Sequence, residues 1–118
     1  MKQTMLKIVA ALFLALMIGG LAVQHNNVIG DVNIYPNPMD KHCEITIQVN
    51  QNAALGINIE DFQGNVIKSL YWGTTNKDVR LTWDRYSDNG EYVPSGTYFV
   101  VVNYSGRYTS TKKTLILK

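Results

Sequence analysis

Apolar and polar residues alternate with a period of two along most of this chain. Val32 and Ile34 flank Asn33, and Ile45, Ile47 and Val49 alternate with Glu44, Thr46 and Gln48. Leu55, Ile57 and Ile59 alternate with Gly56, Asn58 and Glu60 in the same way. Side chains of a strand point by turns to opposite faces, so each stretch predicts a strand with one buried and one wet face. Val66 to Tyr71 and Val79 to Trp83 continue the series. Thr97 to Tyr104 sets Tyr98, Val100, Val102 and Tyr104 on one face, and Tyr108 to Lys118 is the last predicted strand.

Turn chemistry separates these runs. The first strand is expected to stop at Tyr35-Pro36-Asn37-Pro38, because proline cannot donate to a ladder. Asp61-Phe62-Gln63-Gly64-Asn65 offers Gly64 or Asn65 for a positive φ, and Asn89-Gly90 reads as a two-residue turn. Pro94-Ser95-Gly96 and Ser105-Gly106 punctuate the rest. Seven short alternating strands imply two sheets packed face to face. The predicted architecture is therefore an all-β, seven-stranded immunoglobulin-like or fibronectin-III-like β-sandwich. Trp83 is its expected core anchor.

The first residues read differently. Lys2 and Lys7 precede Ile8 to Val23, an unbroken run of 16 residues without charge. A permanent membrane helix needs roughly 20 apolar residues, so this run is expected to be a signal helix. Gly19-Gly20-Leu21-Ala22 supplies small residues for cleavage after Ala22, an uncleaved anchor being the alternative. The expected organisation is a signal peptide over 1–22, a polar linker over 23–30 and the sandwich over 31–118.

Charge then changes the picture. Removing Lys2 and Lys7 from eleven Lys and Arg leaves nine against nine Asp and Glu, so the folded part is neutral. Binding a nucleic-acid backbone needs several cationic contacts, and none is expected here. Cys43 stands alone, which excludes an internal disulfide and leaves it available to cross-link a dimer. His42-Cys43-Glu44 reads as a strand-edge group, since a soft-metal site needs three or four ligands. Asp84, Asp88 and Asn89 lack the carboxylate run of a calcium loop and read as turn caps. No metal, cofactor or small-molecule substrate is expected. Acid–base or nucleophilic catalysis needs convergent groups. Glu60 and Asp61 are adjacent and point apart, and Ser87, Ser95 and Ser105 have no base nearby in sequence. The chain is expected not to be an enzyme.

Four patterns occur in order. Ile34-Tyr35-Pro36-Asn37-Pro38 opens the domain, and Ile59-Glu60-Asp61-Phe62-Gln63-Gly64-Asn65-Val66-Ile67 follows. Trp83-Asp84 then precedes Asp88-Asn89-Gly90 and Val93-Pro94-Ser95-Gly96-Thr97-Tyr98, and Lys113-Thr114-Leu115-Ile116-Leu117-Lys118 closes the chain. Together they resemble the type A C-terminal sorting domains of the type IX secretion system, which share a fold with the Ig-like domain of the flagellar hook-capping protein. The resemblance covers about residues 31–118. After Trp83-Asp84 that family commonly has glycine, where this chain has Arg85.

The resemblance implies export through the inner membrane and recognition by the outer-membrane secretion machinery, or by another surface protein. The implied recognition residues are Gly96, Tyr98, Lys113, Leu115, Leu117 and Lys118. The destination would be the periplasm, the outer-membrane surface or the medium. Sorting domains normally follow a large cargo; here about eight residues separate leader from domain, and no cargo is expected in this chain. A hook-capping role needs a further N-terminal region and is not expected. The alternative is a stand-alone periplasmic or surface module, structural or adhesive, that binds protein or glycan through Tyr71, Trp72, Tyr86 and Tyr92.

Overall fold

A computed structural model describes residues 27–104 and 110–118. The signal segment with Ala22, and the turn at Ser105-Gly106, lie outside the described residues. Seven strands follow one another: β1 (Ile29–Tyr35), β2 (Cys43–Val49), β3 (Ala53–Glu60), β4 (Val66–Thr75), β5 (Val79–Trp83), β6 (Gly96–Tyr104) and β7 (Ser110–Leu117). They form two antiparallel sheets, ordered β1-β2-β5 and β4-β3-β6-β7. The described residues contain no helix.

Alternation decides which side chains meet between the sheets. Ile45 and Ile47 of β2, Leu55, Ile57 and Ile59 of β3, and Val100 and Val102 of β6 are fully buried. Trp83, at the end of β5, is the largest of the sealed side chains and donates its indole N–H to the Tyr86 carbonyl at 2.9 Å. A sandwich core is expected to gather about 25 cal/mol of stabilisation per Å² of apolar surface removed from water, which makes such rows the main support of so small a domain.

Four local features depart from the sequence expectations. β1 begins at Ile29, two residues inside the expected linker, because Ile29 is itself core and the Gly30-Asp31 bulge restores the pairing at Val32. β4 runs on to Thr75, past the expected end at Tyr71, since Trp72, Gly73, Thr74 and Thr75 all pair with β3. Two register shifts lie nearer its start, between Val66 and Tyr71, while the extension pairs regularly but sets Gly73 and Thr75 on the inner row, where an apolar signal would be expected. At Asn89-Gly90 only Gly90 takes a positive φ (77°), so the turn is not the mirror-image two-residue kind. Gly90 N–H donates to Ser87 O and Ser87 N–H to Glu91 O, giving a three-residue loop that ends in a left-handed glycine.

The fourth correction concerns Cys43. It opens β2, the central strand of its sheet, and is fully buried, with burial pushing its thiol up to about 11. A sealed thiol held in the neutral form cannot cross-link a folded dimer, because the thiolate is the reactive species.

Candidate functional site

The margin of the four-stranded sheet at β7 gathers most of the residues singled out in the sequence. β7 pairs on one side with β6, from Gly96 opposite Leu117 to Asn103 opposite Ser110. Its other side would be a bare ladder, but the Tyr35-Pro36-Asn37-Pro38-Met39 segment folds across from the opposite sheet and takes part of it. The Asn37 side chain acts like a peptide group: its Nδ2 donates to Thr114 O at 2.8 Å and its Oδ1 accepts from Ile116 N–H at 3.0 Å. Met39 N–H then donates to Ile116 O at 2.8 Å, and Lys118 N–H donates to Met39 O at 2.9 Å. Met39 is fully buried, which anchors the clasp. The Tyr35-Pro36 and Asn37-Pro38 peptide bonds are both cis.

The clasp covers the half of β7 from Thr114 to Lys118. Antiparallel ladders point every second residue outward, so Lys112 presents its backbone N–H and C=O on the half that no other described segment covers. The lysines flank this division. Lys113 stands opposite Val100, in the row that faces the core, yet is exposed. A charge on the inward row of an edge strand blocks addition of a further apolar strand. Lys118 is exposed at the far end, and Lys112 lies over the Phe99 ring at 6.0 Å on the outer face.

The sequence-predicted recognition residues therefore separate into two sets. Gly96, Lys113 and Lys118 are exposed. Tyr98, Leu115 and Leu117 are buried, and their side chains hold β6 and β7 to the core. The Tyr98 hydroxyl donates to Pro94 O at 2.9 Å, and burial holds its ionisation above the ordinary tyrosine range.

The remaining motif residues build loops elsewhere, at the β3–β4 turn and between β5 and β6. Asp61 Oδ1 accepts from the Gln63 and Asn65 backbone N–H groups, and Oδ2 accepts from Asn65 Nδ2. These bonds, that of the Asn65 side chain foremost, hold the carboxyl below its usual range. Gly64 (φ 87°) closes the loop by donating to Asp61 O at 3.1 Å. Asp84 caps the Tyr86 N–H at 3.1 Å, as expected of a turn residue. Asp88 does something else: both its oxygens accept from Ser69 N–H on the β4 edge, and it pairs with Lys68 at 3.6 Å. Among the described residues no three His, Cys, Asp or Glu side chains converge on a point that could hold a metal.

Arg85 was missed as a structural residue. It has φ 70°, a left-handed backbone that glycine adopts without strain. Its side chain is only 3 % exposed. Nε donates to Val93 O at 2.8 Å, Nη1 to Asp40 O at 2.6 Å and Nη2 to Ser95 Oγ at 3.4 Å. The guanidinium also lies 4.7 Å from the centre of the Tyr92 ring, which meets Tyr86 edge-on. One buried cation thus ties the 84–95 loop to the residue following the clasp. No sequence signal marks this, because the partners are carbonyls, which every residue has.

A solved structure of dimeric latent PorU from Porphyromonas gingivalis is similar to this chain over 74 % of its length and 9 % of that protein's, with 21 % identity and a TM-score of 0.59. A structure of PorZ, described as an essential surface component of the type-IX secretion system of the same organism, matches over 74 % of this chain and 11 % of that one, with 23 % identity and a TM-score of 0.48. This chain thus corresponds to about a tenth of each, and the likeness to PorU is one of fold. No curated protein matches the sequence. The model of the FlgD Ig-like domain matches residues 36–107, from the first proline of the clasp to beyond the end of β6. On that match, over more than half of its length, the chain belongs to the FlgD Ig-like domain family.

Proposed function

We propose that this chain acts by binding and not by catalysis, as an exported Ig-like module that the type IX secretion machinery recognises for translocation or surface attachment. The observation that carries the reading is the β7 margin. A half-clasped edge, with an open stretch around Lys112 and exposed Lys113 and Lys118 at the two ends of the clasped half, is a surface a specific receptor can read while indiscriminate strand addition is blocked. Supporting it is the order of motifs from Tyr35 to Lys118, shared with secretion-sorting domains, together with membership of the FlgD Ig-like family.

Deleting Lys113 to Lys118 would remove Leu115 and Leu117 from the core and confuse unfolding with lost recognition. The better variant is the double substitution Lys113→Glu, Lys118→Glu, placed in the full chain behind its leader with a reporter, in a host that has the secretion system. Surface delivery of the parent fusion and its loss in the double variant, at unchanged thermal stability, is the expected result. Equal delivery by both, or a periplasmic parent fusion, would refute the reading. A second reading, an adhesive surface module, is favoured by one separate observation, the exposed Trp72 on the outer sheet face.

A further inference from the structure

The outer face of the four-stranded sheet carries an open groove of about 470 Å³, within the range of small-molecule sites. Its walls include Trp72 and Ser69 of β4, Gly56 and Asn58 of β3, and Asn103 of β6. The register makes these a compact patch. Trp72 stands opposite Gly56, which stands opposite Asn103, and Ser69 stands opposite Asn58 one row away. Strands lie about 4.8 Å apart and rows about 7 Å apart, so the patch measures roughly 10 by 7 Å.

A single exposed indole on a protein surface would mean little. This one is built in. A Cβ at Gly56 would lie 3.0 Å from Trp72 Cε3 and 3.1 Å from Cζ3, so the glycine lets the ring lie closer to the sheet than any side chain there would allow without shifting it. Trp72 is nevertheless 81 % exposed, which leaves most of the ring surface facing outward. Around it the side chains of Asn58, Asn103 and Ser69 make no hydrogen bond within the described residues. None of the residues lining the groove carries a charge. The nearest outer-face cation in that row, Lys112, sits beyond Val101 and over Phe99.

We propose that this groove binds a neutral saccharide. One pyranose ring would lay its apolar C–H face on the Trp72 indole. Its hydroxyls would exchange hydrogen bonds with the Asn58 and Asn103 amides, which each offer donors and an acceptor. A patch about 10 Å long fits one to two sugar rings. An uncharged groove disfavours nucleic acid and acidic polymers, which need cations. This site is separate from the β7 margin, and its test does not depend on secretion.

The test titrates the purified full chain with neutral oligosaccharides of glucose, mannose and N-acetylglucosamine, up to about 10 mM, following tryptophan emission. Trp83 is 1 % exposed, so a saturable change reports Trp72. With at least one neutral sugar a saturable blue shift is expected. Trp72→Ala should weaken binding about tenfold or more and Trp72→Phe much less, while Asn103→Ala should weaken it about 3- to 10-fold. Binding of the alanine variants is read by calorimetry, and their unfolding temperatures should match the parent's. No saturable response to any neutral sugar, binding by Trp72→Ala equal to the parent's, or a preference for an acidic sugar such as oligogalacturonate would overturn the proposal.

Discussion

At the residue scale the decisive position is Arg85. Its backbone sits where a side chain costs about 1–2 kcal/mol, and its guanidinium recovers that through three hydrogen bonds in a buried setting. Arg85→Ala keeps the strained φ and loses the bonds, so a loss on the order of 3 kcal/mol is expected in urea unfolding. Arg85→Gly relieves the strain and should be about 1 kcal/mol more stable than the alanine variant. Equal stability of the two would contradict the left-handed backbone at this position. The sequence displayed Arg85 as a departure from a glycine pattern, but what the arginine does depends on carbonyls of Asp40 and Val93 that no pattern reveals.

Asp61 raises a second residue-scale expectation. Its folded-state carboxyl titrates below the usual range because of the bonds from Asn65 and Gln63. A depressed carboxylate contributes stability above its unfolded value of about 3.9, and that contribution fades as pH falls through the lower folded value. The stability difference between the parent and Asp61→Ala should hold steady from neutral pH to about pH 5 and shrink below about pH 4. Carbon-13 NMR of the Asp61 carboxyl reads the shifted titration directly. A titration at or above the ordinary value would rule out the hydrogen-bonded Asp61–Asn65 turn.

Among the elements, β5 was fully legible, because Val79, Leu81 and Trp83 alternate with Arg80 and Thr82 without interruption, and β3 and β6 were legible from the apolar rows Leu55, Ile57, Ile59 and Tyr98, Val100, Val102. β4 was legible only up to Tyr71, since beyond it the positions opposite the inward Leu55 and Ala53 are Gly73 and Thr75, and no apolar row marks the buried face. The clasp was not legible at all. Asn37 lies 77 and 79 positions from the residues it bonds, and its sequence reads simply as a strand terminator. Proline ends β1 there, but the asparagine between two prolines is also the group that closes the far sheet. Asn37→Ala should therefore cost about 1 kcal/mol in thermal or chemical unfolding, as expected for two exposed neutral bonds. The same substitution should raise solvent exchange at Ile116 N–H.

For the whole molecule, one anchor holds both sheets. Trp83 ends β5, fills the core and ties down the 84–95 loop through its indole N–H. Trp83→Ala is expected to cost on the order of 3–5 kcal/mol by chemical denaturation. A change below about 1 kcal/mol would be incompatible with a sealed indole. The two-layer architecture, read from alternation, leaves three surfaces for function: the β7 margin, the loop end around Arg85 and the outer face around Trp72. The sequence named residues on all three, yet mixed core side chains such as Leu115 and Leu117 with exposed ones. Both kinds lie on a strand with the same spacing, and only the packing distinguishes them.

Native-state amide hydrogen exchange along β7 tests the half-clasped margin most directly. Ile116 and Lys118 N–H, held by Asn37 and Met39, should exchange slowly, and Lys112 N–H, on the open half, should exchange fast. Uniform protection from Lys112 to Lys118 would mean that the margin is closed throughout, and fast exchange at Ile116 and Lys118 would mean that the clasp does not form.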